Sequence, residues 1–174
     1  MLTKTNGTRW THRRLEGWGR FRRSDTETTT PIEREQLPHI LEDSPSSLIA
    51  FGQGRSYGDA ALNEGGRTVL FDALDRVIRF DRKTGIFTCE AGMTLEDILS
   101  VILPDGWFLP VTPGTRFPTI GGCLAADIHG KNHHVEGSFS RHIQSFELIL
   151  ADGSTVTCSL SLIHISEPTR LRRI

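Results

Sequence analysis

The sequence of 174 residues lacks any long hydrophobic run. No apolar stretch reaches the roughly 18 residues that a membrane-spanning helix needs, so we do not expect an integral membrane protein. No apolar segment follows the basic residues near Met1, so a secretory signal is not expected. The net charge is −1 at pH 7, which gives no overall attraction to nucleic acid. These absences predict a cytoplasmic protein and leave open a peripheral attachment to a membrane.

Cysteine is also scarce. Cys89, Cys123 and Cys158 are odd in number and widely separated, and their spacing matches no common metal-ligand pattern. We therefore expect free thiols in a reducing compartment. The remaining composition, with 37% hydrophobic and 24% charged residues, is ordinary for a soluble protein. The chain is long enough to form one domain with a hydrophobic core.

The most informative stretch runs from Pro113 to His134 and joins small residues to a run of polar ones. Gly121 and Gly122 have no side chain, so the backbone there can approach a flat or anionic group closely. A glycine pair alone is more typical of an ordinary helix start. The polar run that follows favours a binding or catalytic site instead, and it contains Asp127, His129, Lys131, Asn132, His133 and His134.

Earlier in the chain lies another glycine-rich loop, from Phe51 to Asp59. It follows an apolar run at residues 47–51 that is typical of a short buried strand. Its glycines have the spacing G-x-G-x-x-x-G and no amphipathic helix follows, which argues against a Rossmann nicotinamide site. The loop can expose several backbone N–H groups, with Ser56 as a further donor and Arg55 as a fixed cation. We therefore predict that it binds the pyrophosphate of a dinucleotide.

Together these stretches carry a resemblance to a known family. The motifs are Gly-Trp-Gly-Arg at residues 17–20, Gly-Arg-Ser-Tyr-Gly-Asp at 54–59, Pro-Gly-Thr-Arg at 113–116, Thr-Ile-Gly-Gly at 119–122, Asp-Ile-His-Gly-Lys-Asn-His-His at 127–134 and Gly-Ser-Phe at 137–139. The chain resembles the PCMH-type FAD-binding domain of the vanillyl-alcohol oxidase superfamily. Within that superfamily it is most similar to the decaprenylphosphoryl-β-D-ribose 2-oxidase-like oxidoreductases.

This resemblance implies an α+β domain of two α/β subdomains that binds FAD and presents the flavin to a substrate domain. It implies oxidation of a secondary hydroxyl of a sugar or polyol, including a polyprenyl-phosphate-linked pentose, by hydride transfer to FAD. It leaves open a partner reductase. The catalytic pocket would be lined by Tyr57, His129 and Lys131. The residues implied to contact FAD are Phe51, Gly52, Gln53, Gly54, Arg55, Ser56, Tyr57, Gly58, Asp59, Gly114, Thr119, Ile120, Gly121, Gly122, Ala126, Asp127 and His129.

Some members of the superfamily attach FAD covalently through a histidine in the glycine loop. Arg55 stands at that place and cannot form such a bond, so the resemblance implies non-covalent FAD. The family also places its proton acceptor in a part that this chain does not contain. We therefore expect the 174 residues alone to bind FAD weakly and to show no turnover.

The rest of the pattern predicts the short helices and strands of an α+β fold. Strands are predicted at residues 68–71 and in two hairpins, at 77–80 with 86–90 and at 146–150 with 154–158. A helix that opens with a capping box is predicted from Thr94 to Ile102. Another is predicted over residues 31–43, with Thr30 as its N-cap and a kink at Pro38.

We expect three segments along the chain. Residues 1–30 would form a basic arm that lies across the domain, anchored by its tryptophans, with a polar connector at 24–30. Residues 31–159 would form the FAD-binding domain, and residues 160–174 resemble a translated sequencing adapter. The domain would then be incomplete at its C-terminus and the substrate domain would be missing.

Three other functions are compatible with the sequence, and we favour none of them. His129, His133 and His134, with Asp127, could bind a metal ion, although Gly130 disfavours the helix that this spacing requires. The basic arm, with its interleaved aromatic residues, could bind nucleic acid. The chain could also be a non-catalytic module that binds a membrane surface or a polyprenyl phosphate.

Overall fold

The computed structural model describes residues 2–5, 7–44 and 47–159. Its N-terminal part is a five-stranded sheet in the order β1-β2-β3-β5-β4. The strands are β1 (Leu2–Thr5), β2 (Thr8–Glu16), β3 (Arg23–Thr29), β4 (Leu48–Phe51) and β5 (Arg67–Leu70). β2 pairs antiparallel with β1 and β3, whereas β5 is parallel to β3 and β4. The carboxyl ends of the three parallel strands therefore lie at one edge of the sheet, where the loop after β4 begins.

The predicted arm and polar connector are wrong, because residues 8–16 and 23–29 are strands of this sheet. Thr26 and Thr28 are buried in β3 although their side chains are polar. The Thr26 hydroxyl donates to the backbone carbonyl of Gly66, and the Thr28 hydroxyl donates to a backbone carbonyl of β2. Burial of these hydroxyls is tolerated because each one has a hydrogen-bond partner.

The expectation that the tryptophans act as packing anchors holds for Trp10 and fails for Trp18. Trp10 is fully buried in a cluster with Ile40 and Val69. The guanidinium of Arg67 lies 4.4 Å from the centroid of its ring, a cation–π contact. Trp18 lies in the turn between β2 and β3 and is 59% exposed.

Helix α1 (Gln36–Glu42) begins later than predicted, and Thr30 is not its N-cap. The side-chain carbonyl of Gln36 accepts two preceding backbone N–H groups at 2.8 and 3.0 Å, which stabilises a turn ahead of the helix. Pro38 lies in the first turn, where the missing N–H is tolerated, so it does not interrupt the helix.

The rest of the described chain contains both predicted hairpins. β6 (Val77–Asp81) pairs with β7 (Ile86–Cys89), and β8 (Ser145–Ile149) pairs with β9 (Thr155–Ser159). The helices are α2 (Leu95–Ile102), α3 (Ile120–Ala125) and α4 (His133–Glu136), with 3₁₀ turns at Leu103–Asp105 and Phe139–His142. The mixed helix and strand content predicted from the sequence is confirmed. Within the described ranges, no helix has the length and apolarity to cross a bilayer.

Helix α2 begins at the predicted capping box. The Thr94 hydroxyl accepts the N–H of Asp97, and the Asp97 carboxylate accepts the N–H of Thr94. The apolar face of α2 is buried and forms the larger core together with residues on either side of it: Met93, Leu95, Ile98, Ile102, Val111, Cys123 and Phe139. Since Cys123 belongs to α3, this core fixes α3 against α2.

Ion pairs connect the turn ahead of α1 to both hairpins. The Arg76 guanidinium lies 2.8 Å from the carboxylates of Glu33 and Glu90. Its hydrogen bond is the main reason why the pKa of Glu90 is lowered. Arg34 pairs with Glu147 of β8 at 2.9 Å. These contacts link the turn ahead of α1 to residues in or beside both hairpins.

Cys123, which is buried, and Cys89, which is partly buried, give a first prediction. Burial raises the pKa of Cys89 to about 11 and that of Cys123 to about 12. We predict that iodoacetamide at pH 8 leaves both thiols unmodified in the native chain and alkylates both in concentrated urea, because only the thiolate is nucleophilic. Mass spectrometry of tryptic peptides measures the modification, and rapid labelling of native Cys123 would contradict this packing.

The same pKa shifts make the stability of the fold depend on pH. Folding raises both pKa values above the ordinary 9.0 of a thiol, so the neutral thiols stabilise the fold fully below pH 9. That contribution is lost as the pH rises through 11 and 12.

Candidate functional site

Two glycine-rich loops meet at one contact. The first loop (residues 52–59) follows β4, and the second loop (residues 113–119) leads into α3. A Cβ on Gly52 would lie 2.5 Å from Oγ1 of Thr119, so only glycine fits at this position. The Thr119 hydroxyl also accepts the N–H of Gly122 at 3.2 Å. One buried side chain therefore joins the first loop to the start of α3.

The backbone N–H groups of the first loop are open. Among the described residues, no N–H of residues 53–58 donates to another backbone carbonyl. Gly54 and Gly58 have φ values of +60° and +66°, the left-handed conformation that occurs in anion-binding nests. Several open donors in a row fit a ligand with several anionic oxygens, such as a pyrophosphate.

A positive charge stands beside these donors. The guanidinium of Arg55 lies 5.2 Å from the centroid of the Phe117 ring, across the junction of the two loops. Arg116 lies 5.6 Å from the same centroid, but it is paired with Glu96 at 3.1 Å. In the part of the chain that the structure describes, Arg55 has no carboxylate partner. Its charge is therefore available to an anion, while Phe117 fixes its direction.

Other residues of the first loop hold it against the protein. Gly54 is buried, and a Cβ there would lie 2.8 Å from the Phe51 ring. The side-chain amide of Gln53 donates to Asp72 at 3.3 Å, and burial raises the pKa of Asp72. Ser56 is exposed. The loop therefore presents its backbone and Ser56 outward, while Phe51 and Gln53 bind to the protein itself.

The glycine pair at the start of α3 has two different environments. The N–H of Gly121 donates to the carbonyl of Ala91 at 2.9 Å, and a Cβ on Gly121 would lie 3.0 Å from that oxygen. Ile120 packs against the larger core. The side of Gly121 that lacks a side chain thus faces the protein's own backbone, and its predicted contact with FAD stays a prediction. Gly122 and Ala126 are exposed and stay candidates for contact with FAD.

The polar run begins at a constrained residue. Asp127 has a φ of +42°, an uncommon value for a residue other than glycine. Its carboxylate accepts the N–H of Ser140 at 3.0 Å. His129 forms an isolated antiparallel bridge with Ser138. Residues 127–129 are therefore fixed against residues 138–140.

A cavity of about 740 Å³ lies between residues 108–114 and residues 129–133. Gly130 is buried in this lining. A Cβ there would lie 2.8 Å from a carbonyl oxygen of the facing segment, so a side chain has no room. The side-chain amide of Asn132 donates to another carbonyl of that segment at 3.0 Å. The predicted site residues in the lining are Gly114, His129 and Lys131. An imidazole and an ammonium group are thus available to a hydroxylated or anionic substrate.

Tyr57 lies outside the lining of this cavity. It is 83% exposed on the first loop, and its ring contacts Trp18 in the turn between β2 and β3. The residue-by-residue predictions gave this turn no role. The sequence signal for this turn is the Gly-Trp-Gly-Arg motif at residues 17–20.

The three histidines do not form a metal site. The ring centroids of His129 and His133 are 5.6 Å apart, and those of His133 and His134 are 5.9 Å apart. α4 begins only at His133, so His129 does not share a helical face with it. Within the described residues, no group of three His, Cys, Asp or Glu side chains could hold a metal ion. The metal-binding alternative is therefore not supported.

Comparison with known families decides the assignment. A family model described as FAD binding domain matches residues 31–159. The chain belongs to this family. FAD is therefore its cofactor, as the resemblance implied.

Curated relatives and solved structures agree with this family. The chain is 40% identical over 147 residues to decaprenylphosphoryl-beta-D-ribose oxidase of Mycolicibacterium smegmatis, covering 82% of the chain and 32% of that relative. It is 27% identical over 151 residues to a probable mitochondrial D-2-hydroxyglutarate dehydrogenase of Oryza sativa, covering 82% of the chain and 26% of the relative. The chain thus spans about a third or less of these relatives.

The fold has a counterpart among solved structures. An alkyldihydroxyacetonephosphate synthase structure superimposes with a TM-score of 0.67 at 19% identity, covering 79% of this chain and 27% of that one. The expected PCMH-type architecture is confirmed at the level of the fold.

The junction of the loops gives a second prediction. Replacing Gly52 with alanine forces a methyl group against Thr119, so we expect a loss of about 1–3 kcal/mol of unfolding free energy. Urea unfolding followed by circular dichroism measures it. Gly19→Ala is the matched control, since a Cβ there meets nothing within 4 Å. Equal stability of the two variants would show that the loops do not meet at Gly52.

Proposed function

We propose that this chain is the FAD-binding part of an enzyme that oxidises a secondary hydroxyl of a sugar, and that the sugar is a pentose linked to a polyprenyl phosphate. FAD binding follows from the family, whereas the oxidation and its substrate are our proposal. Its support is the 40% identity to a relative named decaprenylphosphoryl-beta-D-ribose oxidase.

The observation that carries the proposal is the junction of the two glycine loops. The open N–H groups of residues 53–58 lie there near Thr119, together with Arg55, which has no carboxylate partner among the described residues. These groups fit the pyrophosphate of FAD, because N–H donors and a guanidinium are the usual partners of phosphate oxygens. Hydrogen bonds to a charged group contribute about 1.5–3 kcal/mol each, so a few of them suffice for non-covalent binding.

The cavity beside α4 would receive the substrate. Bound FAD supplies the hydride acceptor for the carbon that carries the hydroxyl. Lys131 would bind anionic oxygens of the substrate, and His129 would hydrogen-bond a sugar hydroxyl. Both residues are held in the wall by Gly130 and Asn132, which fit closely against the facing segment. The proton of the oxidised hydroxyl must pass to a base, and we assign none within this chain.

Non-covalent attachment gives a third prediction. Arg55 offers no atom for a flavin bond, so FAD bound by the chain is expected to enter the supernatant when the protein is precipitated with trichloroacetic acid. Absorbance at the flavin maximum in pellet and supernatant measures the distribution. A yellow pellet would refute non-covalent binding.

The charge of Arg55 gives a fourth prediction. Arg55→Met removes the cation and keeps much of the side-chain volume, so FAD affinity is expected to fall about 10- to 100-fold. Isothermal titration calorimetry with FAD measures this change. Arg9→Met is the matched control, because Arg9 is an exposed cation near the opposite end of β2. Equal losses in the two variants would mean that Arg55 acts only through the overall charge.

A further inference from the structure

The turn of residues 17–22 lies outside the part of the chain that the FAD-binding family model matches, yet it is attached to the first glycine loop. A Cβ on Gly17 would lie 3.0 Å from the carbonyl oxygen of Gly58. Arg22 pairs with Asp59 at 3.3 Å. The turn therefore meets the C-terminal half of the first loop through one close backbone approach and one ion pair between side chains.

Between these two contacts, Trp18 and Tyr57 pack together. Their rings are edge-to-face, with centroids 5.8 Å apart and an interplanar angle of 89°. Tyr57 is 83% exposed, and among the described residues Trp18 is its only aromatic partner. A side chain this exposed samples several rotamers unless a neighbour selects one of them. Trp18 is the neighbour that can do so.

We propose that the turn of residues 17–22 forms a third wall of the flavin site, beside the first and second loops. We further propose that Trp18 is a positioning residue that sets the direction of the Tyr57 ring. This inference rests on the proposed function, since it needs FAD at the first loop. Trp18 acts through Tyr57 in the free protein, and Tyr57 belongs to the run of residues 53–58 whose N–H groups are open. A role in ligand binding explains why the large side chains of Trp18 and Tyr57 are exposed beside the small residues of the first loop.

The chain offers a direct probe of this pair, because Tyr57 is its only tyrosine. Incorporation of 3-fluorotyrosine gives a single ¹⁹F resonance in the full 174-residue chain. Trp18→Leu is expected to shift that resonance in the absence of FAD, because the ring current of the indole is lost. Ile78→Ala is the control, since Ile78 lies in β6, outside the turn and both loops, and is 58% exposed.

Titration with FAD then tests the wall itself. In the unaltered chain FAD is expected to move the Tyr57 resonance, and Trp18→Leu is expected to weaken FAD binding about 2- to 10-fold, the range of an aromatic pair. Trp18→Phe should restore most of the affinity, because a phenyl ring can also pack edge-to-face. Ile78→Ala should change neither the resonance nor the affinity.

The outcomes separate this inference from the proposed function. If the unaltered chain binds FAD, but Trp18→Leu leaves both the resonance and the affinity unchanged, the inference is overturned and the FAD site stands. If Trp18→Leu shifts the resonance without changing FAD affinity, the pair is structural and the wall is refuted. If the unaltered chain binds no FAD, the proposed function fails, and the wall fails with it.

Discussion

The arrangement of the site depends on the contact between Gly52 and Thr119. Gly52 continues from β4, whose position is set by pairing with β5, while Thr119 caps α3, whose Cys123 is buried in the larger core. The contact therefore joins an element fixed by backbone pairing to one fixed by apolar packing. Because a Cβ on Gly52 has no room, the two loops can meet only with glycine at this position. The guanidinium of one loop then reaches the aromatic ring of the other.

The sequence was sufficient for elements whose stability is local. The capping box at Thr94 and the apolar spacing that follows it predicted α2, and short turn signals predicted both hairpins. It was not sufficient for β2 and β3. Trp10 is the one fully buried residue of β2, and the rest of that strand shows little of the alternation that marks a strand. Its stability comes from pairing across the sheet, including the ion pair of Arg14 with Asp25 at 2.9 Å, and such partners cannot be recognised before the strands are paired.

Prediction from the sequence had a similar limit for the glycine motifs of the candidate site. A sequence shows that a side chain is missing, but it does not show what fills the space. At Gly121 and Gly130 the space is filled by the protein's own carbonyl groups, so these glycines make the fold compact. At Gly58 and Gly114 a Cβ would meet nothing within 4 Å, so the surface there is open to a ligand. The resemblance predicts FAD contacts in both loops, and those contacts stay predictions. The structure separates the glycines that pack against the protein from those that border open space.

Charge near the first loop is distributed in a way that favours one anion. Arg22 is paired with Asp59 and Arg116 with Glu96, so each of these cations is compensated by a neighbouring carboxylate. Arg55 is flanked instead by an aromatic ring and by open backbone donors. A chain with a net charge of −1 can therefore present a local positive site without attracting polyanions over its whole surface. Because the donors are backbone groups held by glycine turns, their selectivity depends on loop geometry more than on the number of basic residues, and that geometry is set at Gly52 and Thr119.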